Sequence, residues 1–289
     1  MKTIALSFEI FPTTTPKALE NLNETCVRLN QFKPRFISVT FGASGAAQLK
    51  SLHVVEQLAQ QAIPTTPHIS CVNMTKDSLQ QLLNAYRQYG IKNLLVVRGD
   101  IPGNGEGGFS DFKYASDLVA YIRQTTGDYF HITVAAYPEL PTTREDDFMY
   151  LKHKIDAGAN EAITQFFFNS ETYLRFRDAC YARGITAPII PGIMPIQDYP
   201  RLLRIACACG AQIPLWLRKR LESLNGDVFS IRLLGLDLIR KLCEQLLLSG
   251  APGLHFYTLN QANTASHIYS NLFADDKRED FFNWRYAAC

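Results

Sequence analysis

Residues 3–11 read TIALSFEIF, and this stretch decides the fold. Its large apolar side chains share one parity and its small or polar ones share the other: Ile4, Leu6, Phe8 and Ile10 against Ala5, Ser7 and Glu9. Because successive side chains of a strand point to opposite faces, the stretch predicts a β-strand with one face in the core. The other face carries Glu9, and burying an unpaired carboxylate is costly. Glu9 therefore has a partner, keeps its proton, or is less buried than its neighbours suggest.

Seven further β-type runs follow the first, and amphipathic helical runs separate them. The β-type runs occupy residues 35–42, 66–72, 93–99, 132–137, 162–168, 188–194 and 253–259. The helical runs include residues 16–32, 51–62, 77–90, 147–158 and 173–184. Strict alternation means a parallel sheet, and eight units most simply close into an α/β fold of the (β/α)8 (TIM) barrel type. We expect one catalytic domain over residues 1–289, with extra helices at 214–223 and 228–249 before the last strand.

Polar side chains collect on one parity of the predicted strands, near the C-terminal ends. They include Ser38, Thr40, His68, Ser70, Arg98, Asp100, Tyr137, Gln165, His255 and Tyr257. An ordinary core would place apolar groups at these positions. In a (β/α)8 barrel, inward residues at the C-terminal ends of the strands form the active-site face. The pattern therefore predicts a functional mouth at this end of the barrel.

The composition argues against several classes of protein. The 289 residues are 47% hydrophobic and 19% charged with a net charge of +2, which gives no electrostatic reason to bind nucleic acid or an acidic membrane. No apolar run approaches the ~20 residues of a membrane span, and the first residues lack a signal-peptide pattern. Seven cysteines without CxxC pairs and six histidines without HxxxH spacing give no support for a metal site. We expect a cytoplasmic protein in a reducing compartment, with a charged tail at 274–284.

Residues 103–108 read GNGEGG and satisfy the GxGxxG pattern of dinucleotide-binding loops. Their context argues against that interpretation, because they follow the fourth strand and do not form a tight turn between a strand and a helix. A glycine-rich loop over the mouth of the barrel is favoured, and a Rossmann dehydrogenase is the outside alternative.

Ten motifs, in order and at compatible spacing, give the chain a specific resemblance to a known family. They are SFEIFP at 7–12, SVTFGA at 38–43, PHISC at 67–71, VRGD at 97–100, YASDLV at 114–119, VAAYPE at 134–139, LKHKIDAGAN at 151–160, ITQFFF at 163–168, IIPGIMPI at 189–196 and HFYTLN at 255–260. With these motifs the chain resembles the bacterial methylenetetrahydrofolate reductases, flavoenzymes with a single (β/α)8 barrel, over nearly its whole length.

The resemblance implies non-covalently bound FAD, NADH or NADPH as the reductant, and reduction of 5,10-methylenetetrahydrofolate to 5-methyltetrahydrofolate, which supplies methyl groups for methionine synthesis. One face of the flavin serves nicotinamide and folate in turn, which implies ping-pong turnover. Glu9 corresponds to the family's general acid, Asp100 to its aspartate near the flavin, and Gln165 to the glutamine that contacts folate and nicotinamide.

The resemblance also assigns residues around the two ligands. The expected FAD contacts are Thr40, Phe41, Ala43, His68, Arg98, Gly99, Asp100, Tyr114, Ala115, Tyr137, Asp147, Tyr150, His153 and Lys154. The expected substrate contacts are Thr40, Gln165, Arg201, Tyr257 and Gln261. A structural role is the alternative for two of them, with His68 as a hydrogen-bonded barrel histidine and Asp100 as a turn residue after Gly99.

The implied reaction needs one proton donor. The methylene bridge opens when its nitrogen is protonated, and hydride then reaches the iminium carbon. A carboxylic acid serves only if it stays protonated near neutral pH. We expect Phe8, Phe11 and a stacked ligand to desolvate Glu9 and raise its pKa, with a nearby Asp100 acting in the same direction.

The chain departs from the family pattern where FAD is expected. The segment YPELPTTREDD at 137–147 is shorter and lacks a histidine, and Tyr150 and His153 stand where an asparagine and an arginine are common. These changes put the affinity and pose of FAD in question.

Near the folate, Ile205 occupies a position that is often Phe or Leu, and Gln261 replaces an arginine that reaches the glutamate tail. Losing a charged partner typically costs ~1.5–3 kcal/mol if nothing replaces it. Arg201 belongs to a region that lines the same site and is a candidate to compensate. We expect altered recognition of the glutamate tail and an unchanged reaction.

Two alternatives share this fold. One is a related flavin oxidoreductase with a different reductant or a modified folate, and the other is a non-catalytic protein that binds flavin or folate. The presence of Glu9, Asp100 and Gln165 argues against the second. The choice between NADH and NADPH is left open by the sequence, and the family suggests a homo-oligomer.

Overall fold

The computed structural model describes residues 5–13, 15–41, 45–99, 109–139 and 145–272. Within these residues there are nine strands and ten helices, which alternate as the sequence predicts. The strands are β1 (Ala5–Ile10), β2 (Phe36–Val39), β3 (Thr65–Ser70), β4 (Asn93–Val97), β5 (His131–Ala136), β6 (Glu161–Thr164), β7 (Ile189–Ile190), β8 (Gly192–Ile193) and β9 (Gly253–Tyr257). The helices are α1 (Pro16–Asn30), α2 (Gly45–Gln60), α3 (Lys76–Gln88), α4 (Ala115–Thr126), α5 (Glu145–Asp156), α6 (Ser170–Ala182), α7 (Tyr199–Cys209), α8 (Leu215–Glu222), α9 (Val228–Leu248) and α10 (Ala262–Leu272).

The predicted seventh strand is split at Pro191, and the split closes the ring of strands. β7 pairs with β6 and β8 pairs with β9, so the two short strands continue one another across the proline. Proline has no N–H for the ladder, but the Pro191 carbonyl accepts a hydrogen bond from the His255 backbone N–H at 3.0 Å. β9 in turn pairs with β1 from Ala5 to Glu9, and every pairing is parallel. The predicted (β/α)8 barrel is therefore confirmed.

Helices begin at polar capping residues that hydrophobic periodicity alone does not locate. The Asn169 side chain accepts a hydrogen bond from the backbone N–H of Glu171 at 3.0 Å, so α6 begins at residue 170 rather than at the predicted 173. Asp227 caps α9 by accepting from the N–H groups of Phe229 and Ser230. The two extra helices predicted before the last strand are present as α8 and α9.

Strand parity is as predicted in β1 and β9 and wrong in β4. The side chains inside the barrel form a cluster of their own, which consists of Phe36, Leu95, Ile163 and Ile190. We predicted that Arg98 and Asp100 share the inward parity of the fourth strand. That parity belongs instead to Leu95, whose register partner is His68. Because β4 ends at Val97, Arg98 reaches the mouth from the turn that follows the strand, and Asp100 lies outside the described residues.

A buried carboxylate is paired at the N-terminal end of the barrel. Glu161 accepts hydrogen bonds from Arg35 Nη1 at 2.7 Å and from Thr133 Oγ1 at 2.8 Å, and His131 Nε2 lies 3.4 Å from its Oε1. Burial alone raises the pKa of Glu161, but the contacts with His131, Arg35 and Thr133 outweigh burial and lower the pKa to about 2. This cluster fastens strands β5 and β6 to the residue before β2 at the end of the barrel away from the mouth.

Candidate active site

A cavity of about 840 Å³ opens at the C-terminal ends of the strands. Ligand sites of small molecules typically occupy ~300–1,000 Å³, so this space can hold an extended, multi-ring ligand. The residues that we assigned from the sequence and that line it are Glu9, Thr40, Phe41, His68, Arg98, Gly99, Tyr114, Ala115, Tyr137, Tyr150, Lys154, Gln165 and Tyr257. The fold thus brings most of the assigned residues together around one cavity at the predicted mouth of the barrel.

Three assigned residues do not line this cavity. His153 is exposed on α5, and Gln261 is exposed between β9 and α10. Arg201 lies beside the cavity, where it lines a small recess that shares Ile205 with the main space. Asp100 and Ala43, which the resemblance also assigned, lie outside the described residues. Asp147 belongs to α5, and its side chain is likewise not described.

Glu9 lies between two imidazoles that come from distant parts of the chain. The Nε2 atom of His68, on β3, is 3.3 Å from Glu9 Oε2, and the Nε2 atom of His255, on β9, is 3.7 Å from it. Neither Nε2 atom has a hydrogen bond of ordinary geometry within the described part of the chain. Behind them, Ser7 Oγ and His255 Nδ1 share a hydrogen bond of 2.8 Å. We call Glu9, His68, His255 and Ser7 the proton cluster.

The proton cluster reverses our expectation for Glu9. Burial alone raises the pKa of Glu9, as predicted, but contact with His255 and His68 and their positive charge outweigh burial and lower the pKa to about 2. The prediction of a raised pKa is therefore wrong for this structure. The prediction took account of the desolvation of Glu9 by Phe8 and Phe11, but not of the two imidazoles that contact its carboxylate. The lowered pKa means that Glu9 is ionised at neutral pH in this structure.

Tyr257 forms a rigid wall next to the proton cluster. Its hydroxyl donates a hydrogen bond to the Thr164 carbonyl at 2.8 Å, and its ring meets the His255 ring edge-on with centroids 5.2 Å apart. Burial raises the pKa of Tyr257 well above its ordinary value, with the charge of Glu9 adding to the shift. Tyr257 therefore stays neutral and positions the His255 imidazole.

Two cations and a pair of aromatic rings line the other side of the cavity. The Arg98 guanidinium lies 5.9 Å from the centre of the Tyr114 ring, which stacks on Tyr150 with centroids 5.8 Å apart. Lys154, from α5, is buried and donates from Nζ to the Ala135 carbonyl at 2.5 Å. A cavity with two cations and two stacked rings is suited to a ligand that carries both negative charge and a flat ring.

Gly99 turns the chain so that Arg98 faces the cavity. Its φ of +81° is in the left-handed region, where glycine is favoured. A Cβ at this position would lie 2.1 Å from Ser70 Oγ, so backbone and β3 approach too closely for any side chain. The VRGD motif includes this glycine, but the sequence alone does not show why a glycine is needed there.

Gln165 offers an unused amide to the cavity. Its Oε1 accepts a hydrogen bond from the Phe166 backbone N–H at 3.1 Å, which fixes the side chain. The amide N–H groups have no partner in the described part of the chain and line the cavity. Sequence reasoning missed other lining residues, such as Ser116 and Cys209, because helix residues at a barrel mouth carry no strand parity.

The fold and the site together define a (β/α)8 barrel with an enzyme-type cavity, in which a carboxylate and two imidazoles face a cationic and aromatic wall. The chain belongs to the methylenetetrahydrofolate reductase family, because the model of that family matches residues 1–273. It is 37% identical to the 5,10-methylenetetrahydrofolate reductase of Pectobacterium carotovorum subsp. carotovorum over 93% of this chain and 90% of the relative.

Two further comparisons agree with that assignment. The chain is 37% identical to "Methylenetetrahydrofolate reductase (NADH) 1" of Arabidopsis thaliana, over 93% of this chain and 48% of the plant protein. A solved structure of a Clostridium thermocellum protein, described as binding two copies of 5-methyl-5,6,7,8-tetrahydrofolic acid, superposes with a TM-score of 0.67 at 17% identity, covering 93% of this chain and 94% of that one. At this identity the likeness shows the fold.

Two further features concern membrane proteins and metal-binding proteins. Among the described residues, no helix is both long enough and apolar enough to cross a membrane. In the same part of the chain, no group of three or more His, Cys, Asp or Glu side chains is arranged to hold a metal ion.

Proposed function

We propose that this protein reduces 5,10-methylenetetrahydrofolate to 5-methyltetrahydrofolate with bound FAD and with NADH or NADPH as reductant. The observation that carries the proposal is the proton cluster, which places Glu9 in the cavity of a chain that matches the reductase family over residues 1–273. The bacterial and plant relatives are named for this reaction, and the plant relative for NADH.

The residues of the cavity fit FAD. Arg98 and the buried Lys154 supply two positive charges for the diphosphate, and the Tyr114–Tyr150 stack offers a flat surface for the adenine. The close approach of Gly99 to β3 leaves backbone, rather than a side chain, at the wall. When bound, the flavin supplies the hydride. Ala43, Asp100, Asp147 and the other assigned contacts stay proposals of the family resemblance.

Glu9 delivers the proton that opens the methylene bridge. The proton moves from an imidazole Nε2 of the cluster to Glu9 Oε2, and from Glu9 to the bridge nitrogen of the substrate. The carbon–nitrogen bond then breaks, its electron pair stays on that nitrogen, and the iminium carbon accepts hydride. Because Glu9 is ionised in this structure, it acts as a carrier between imidazole and substrate rather than as a stored neutral acid.

Nicotinamide and folate use the same cavity in turn. Glu9 and Gln165 both line the cavity at the mouth of the barrel. Since the reductant and the folate both have to reach the flavin there, we propose that the first leaves before the second binds. The free amide of Gln165 can donate to either ring system. Cytoplasmic location and a homo-oligomeric state remain predictions.

Anaerobic mixing of the FAD-loaded protein tests the proposal. NADH or NADPH should bleach the yellow absorbance, and methylenetetrahydrofolate added afterwards should restore it with formation of methyltetrahydrofolate. A protein that takes up no FAD, or that stays bleached after folate, would refute the proposal. Bleaching followed by recolouring only with another acceptor would favour the related flavin oxidoreductase, a reading that the exposed position of Gln261 makes worth testing.

A further inference from the structure

Exposed apolar side chains concentrate on the two helices inserted before the last strand. Phe229 is 69% exposed and Leu233 is 52% exposed, and both lie on α9 one turn apart. Side chains four residues apart on a helix are neighbours, so the two form one apolar surface. Leu215 and Trp216, on α8, are also exposed. Contiguous apolar surface of this kind usually has an occupant.

Positive charge accompanies this surface. Lys219, Arg220 and Arg232 are exposed, and none of them has an ion-pair partner in the described ranges. By contrast, Arg218 is paired with Glu222 and Lys241 with Asp237. We define the α9 patch as Val228, Phe229, Arg232 and Leu233. Its occupant should combine large apolar side chains with negative charge.

The chain contains a segment with that composition. Residues 273–289 read FADDKREDFFNWRYAAC, with acidic residues at 275, 276, 279 and 280, basic residues at 277, 278 and 285, and aromatic residues at 273, 281, 282, 284 and 286. The segment therefore carries a formal charge of −1 beside its aromatic side chains. The family match ends at residue 273, whereas the α9 patch lies inside it. The segment follows α10 directly and lies outside the described residues.

We propose that residues 273–289 pack on the α9 patch of the same chain, with their aromatic side chains on Phe229 and Leu233 and with Glu279 and Asp280 near Arg232. This inference is independent of the reductase proposal, because it uses no residue of the cavity.

The length of the segment suits this path. α9 precedes β9 and therefore ends where that strand starts, at the N-terminal end of the barrel. α10 follows β9 and runs back to the same end of the barrel. The two helices contact each other. The 19 steps from Phe229 to Leu248 cover about 28 Å of helix at ~1.5 Å each. The nine steps from Leu272 to Phe281 span up to about 30 Å when extended at ~3.3 Å each. The aromatic residues can therefore reach the start of α9.

Fluorescence of a single tryptophan tests the proposal on the full chain. The protein has two tryptophans, so Trp216→Phe leaves Trp284 as the reporter. We expect Trp284 to emit at short wavelength and to be weakly quenched by acrylamide. Adding Phe229→Ser and Leu233→Ser should shift the emission to longer wavelength and raise the quenching constant several-fold. Leu49→Ser, at a 70% exposed position on α2, is the matched control and should change neither.

Charge reversal in the segment provides a second test that leaves the barrel intact. Glu279→Lys with Asp280→Lys should release Trp284 in the same way as the α9 substitutions. A Trp284 that is fully exposed before any substitution would overturn the proposal. So would protection of Trp284 that disappears on dilution, which would assign the patch to a second copy, or protection that appears only with vesicles of anionic lipid, which would assign it to a membrane.

Discussion

At the scale of single residues, Glu161 is a buried carboxylate outside the cavity that is paired with three polar side chains. Its carboxylate is 4% exposed and contacts Arg35, Thr133 and His131. Its pKa is lowered from an ordinary 4.5 to about 2. A lowered folded-state pKa means that the stabilisation is fully present above pH 4.5 and is lost as the pH falls toward 2.

Glu161→Gln should lower the free energy of unfolding by about 3 kcal/mol at neutral pH, because about 1.4 kcal/mol accompanies each unit of pKa shift. The deficit relative to the parent protein should shrink to roughly half near pH 3, where the parent carboxylate is beginning to take up a proton. Urea unfolding of both proteins at the two pH values measures this. Asp156→Asn, which breaks an exposed pair with Lys152, is the control and should cost less than ~1 kcal/mol. An equal deficit at both pH values would contradict the assignment.

We propose that Arg201 binds the anionic tail of the folate substrate. It is half-buried in the recess beside the cavity, next to Ile205, and its guanidinium has no ion-pair partner among the described residues. Arg201→Gln should raise KM for methylenetetrahydrofolate about tenfold or more, since a hydrogen bond to a charged group contributes ~1.5–3 kcal/mol. The rate of bleaching by NADH should not change. Gln261→Arg in the same background should recover part of the loss. An unchanged KM would place the tail elsewhere.

Glu9 shows how much of a site can be predicted from a sequence. Strand parity and the SFEIFP motif located Glu9 on the inward face at the mouth, and the structure places it in the cavity. The direction of its pKa shift could not be predicted, because that direction depends on His68 and His255. These two histidines are 59 and 246 residues away from Glu9 in the chain and come from other strands. Parity indicated that these histidines face inward, but not that both reach one carboxylate oxygen.

At the scale of elements, α9 contains a glycine that its packing requires. Gly235 lies in the interior of the helix, where alanine normally stabilises by ~1 kcal/mol. A Cβ at this position would be 2.4 Å from the Ile196 carbonyl oxygen, a backbone atom that cannot easily move. The helix therefore approaches the chain after β8 more closely than any side chain allows.

Gly235→Ala should consequently destabilise the protein by ~1–3 kcal/mol, the usual cost of overpacking, instead of stabilising it. Thermal unfolding of the variant measures the effect. Gln81→Ala, at an exposed position on α3, is the helical control and should change stability by a few tenths of a kcal/mol. A variant of Gly235 that is more stable than the parent would show that α9 is free to move away from residue 196.

Element boundaries were less predictable than element order. Hydrophobic periodicity starts a helix at its first buried residue, so α2 and α6 were predicted to begin at residues 51 and 173 rather than at 45 and 170. In α6 the start is set by the Asn169 cap, for which periodicity has no signal. The error in β4 has a different cause, because a strand that ends at Val97 no longer fixes the direction of Arg98.

At the scale of the whole molecule, the barrel separates a stabilising end from a reactive end. Glu161 and its partners lie at the N-terminal end, and the cavity with the proton cluster lies at the C-terminal end. This division is the one expected of (β/α)8 enzymes. The order of the strands could be predicted from the alternation of strands and helices, and the location of the mouth could be predicted from strand parity. The cation pair and the aromatic stack come from turns and helices, so alternation and parity could not place them, and only the family resemblance assigned Arg98, Lys154, Tyr114 and Tyr150 to the site.

The central claim is that Glu9 delivers a proton to the folate and takes no part in accepting electrons from the reductant. Reduction of the flavin by NADH and its reoxidation by folate can be measured separately, so a single variant can test the claim. Glu9→Gln removes the carboxylate and keeps its size, and Glu244→Gln, at a half-buried position on α9 paired with Arg240 and away from the cavity, is the matched control.

The deciding measurement is stopped-flow absorbance of FAD-loaded Glu9→Gln under anaerobic conditions. The account predicts that NADH bleaches the flavin at close to the parent rate. It also predicts that methylenetetrahydrofolate restores the colour at least ~100-fold more slowly, since general acid catalysis contributes ~10²–10⁴ in rate. Glu244→Gln should match the parent in both halves. Recolouring of Glu9→Gln at the parent rate would contradict the account.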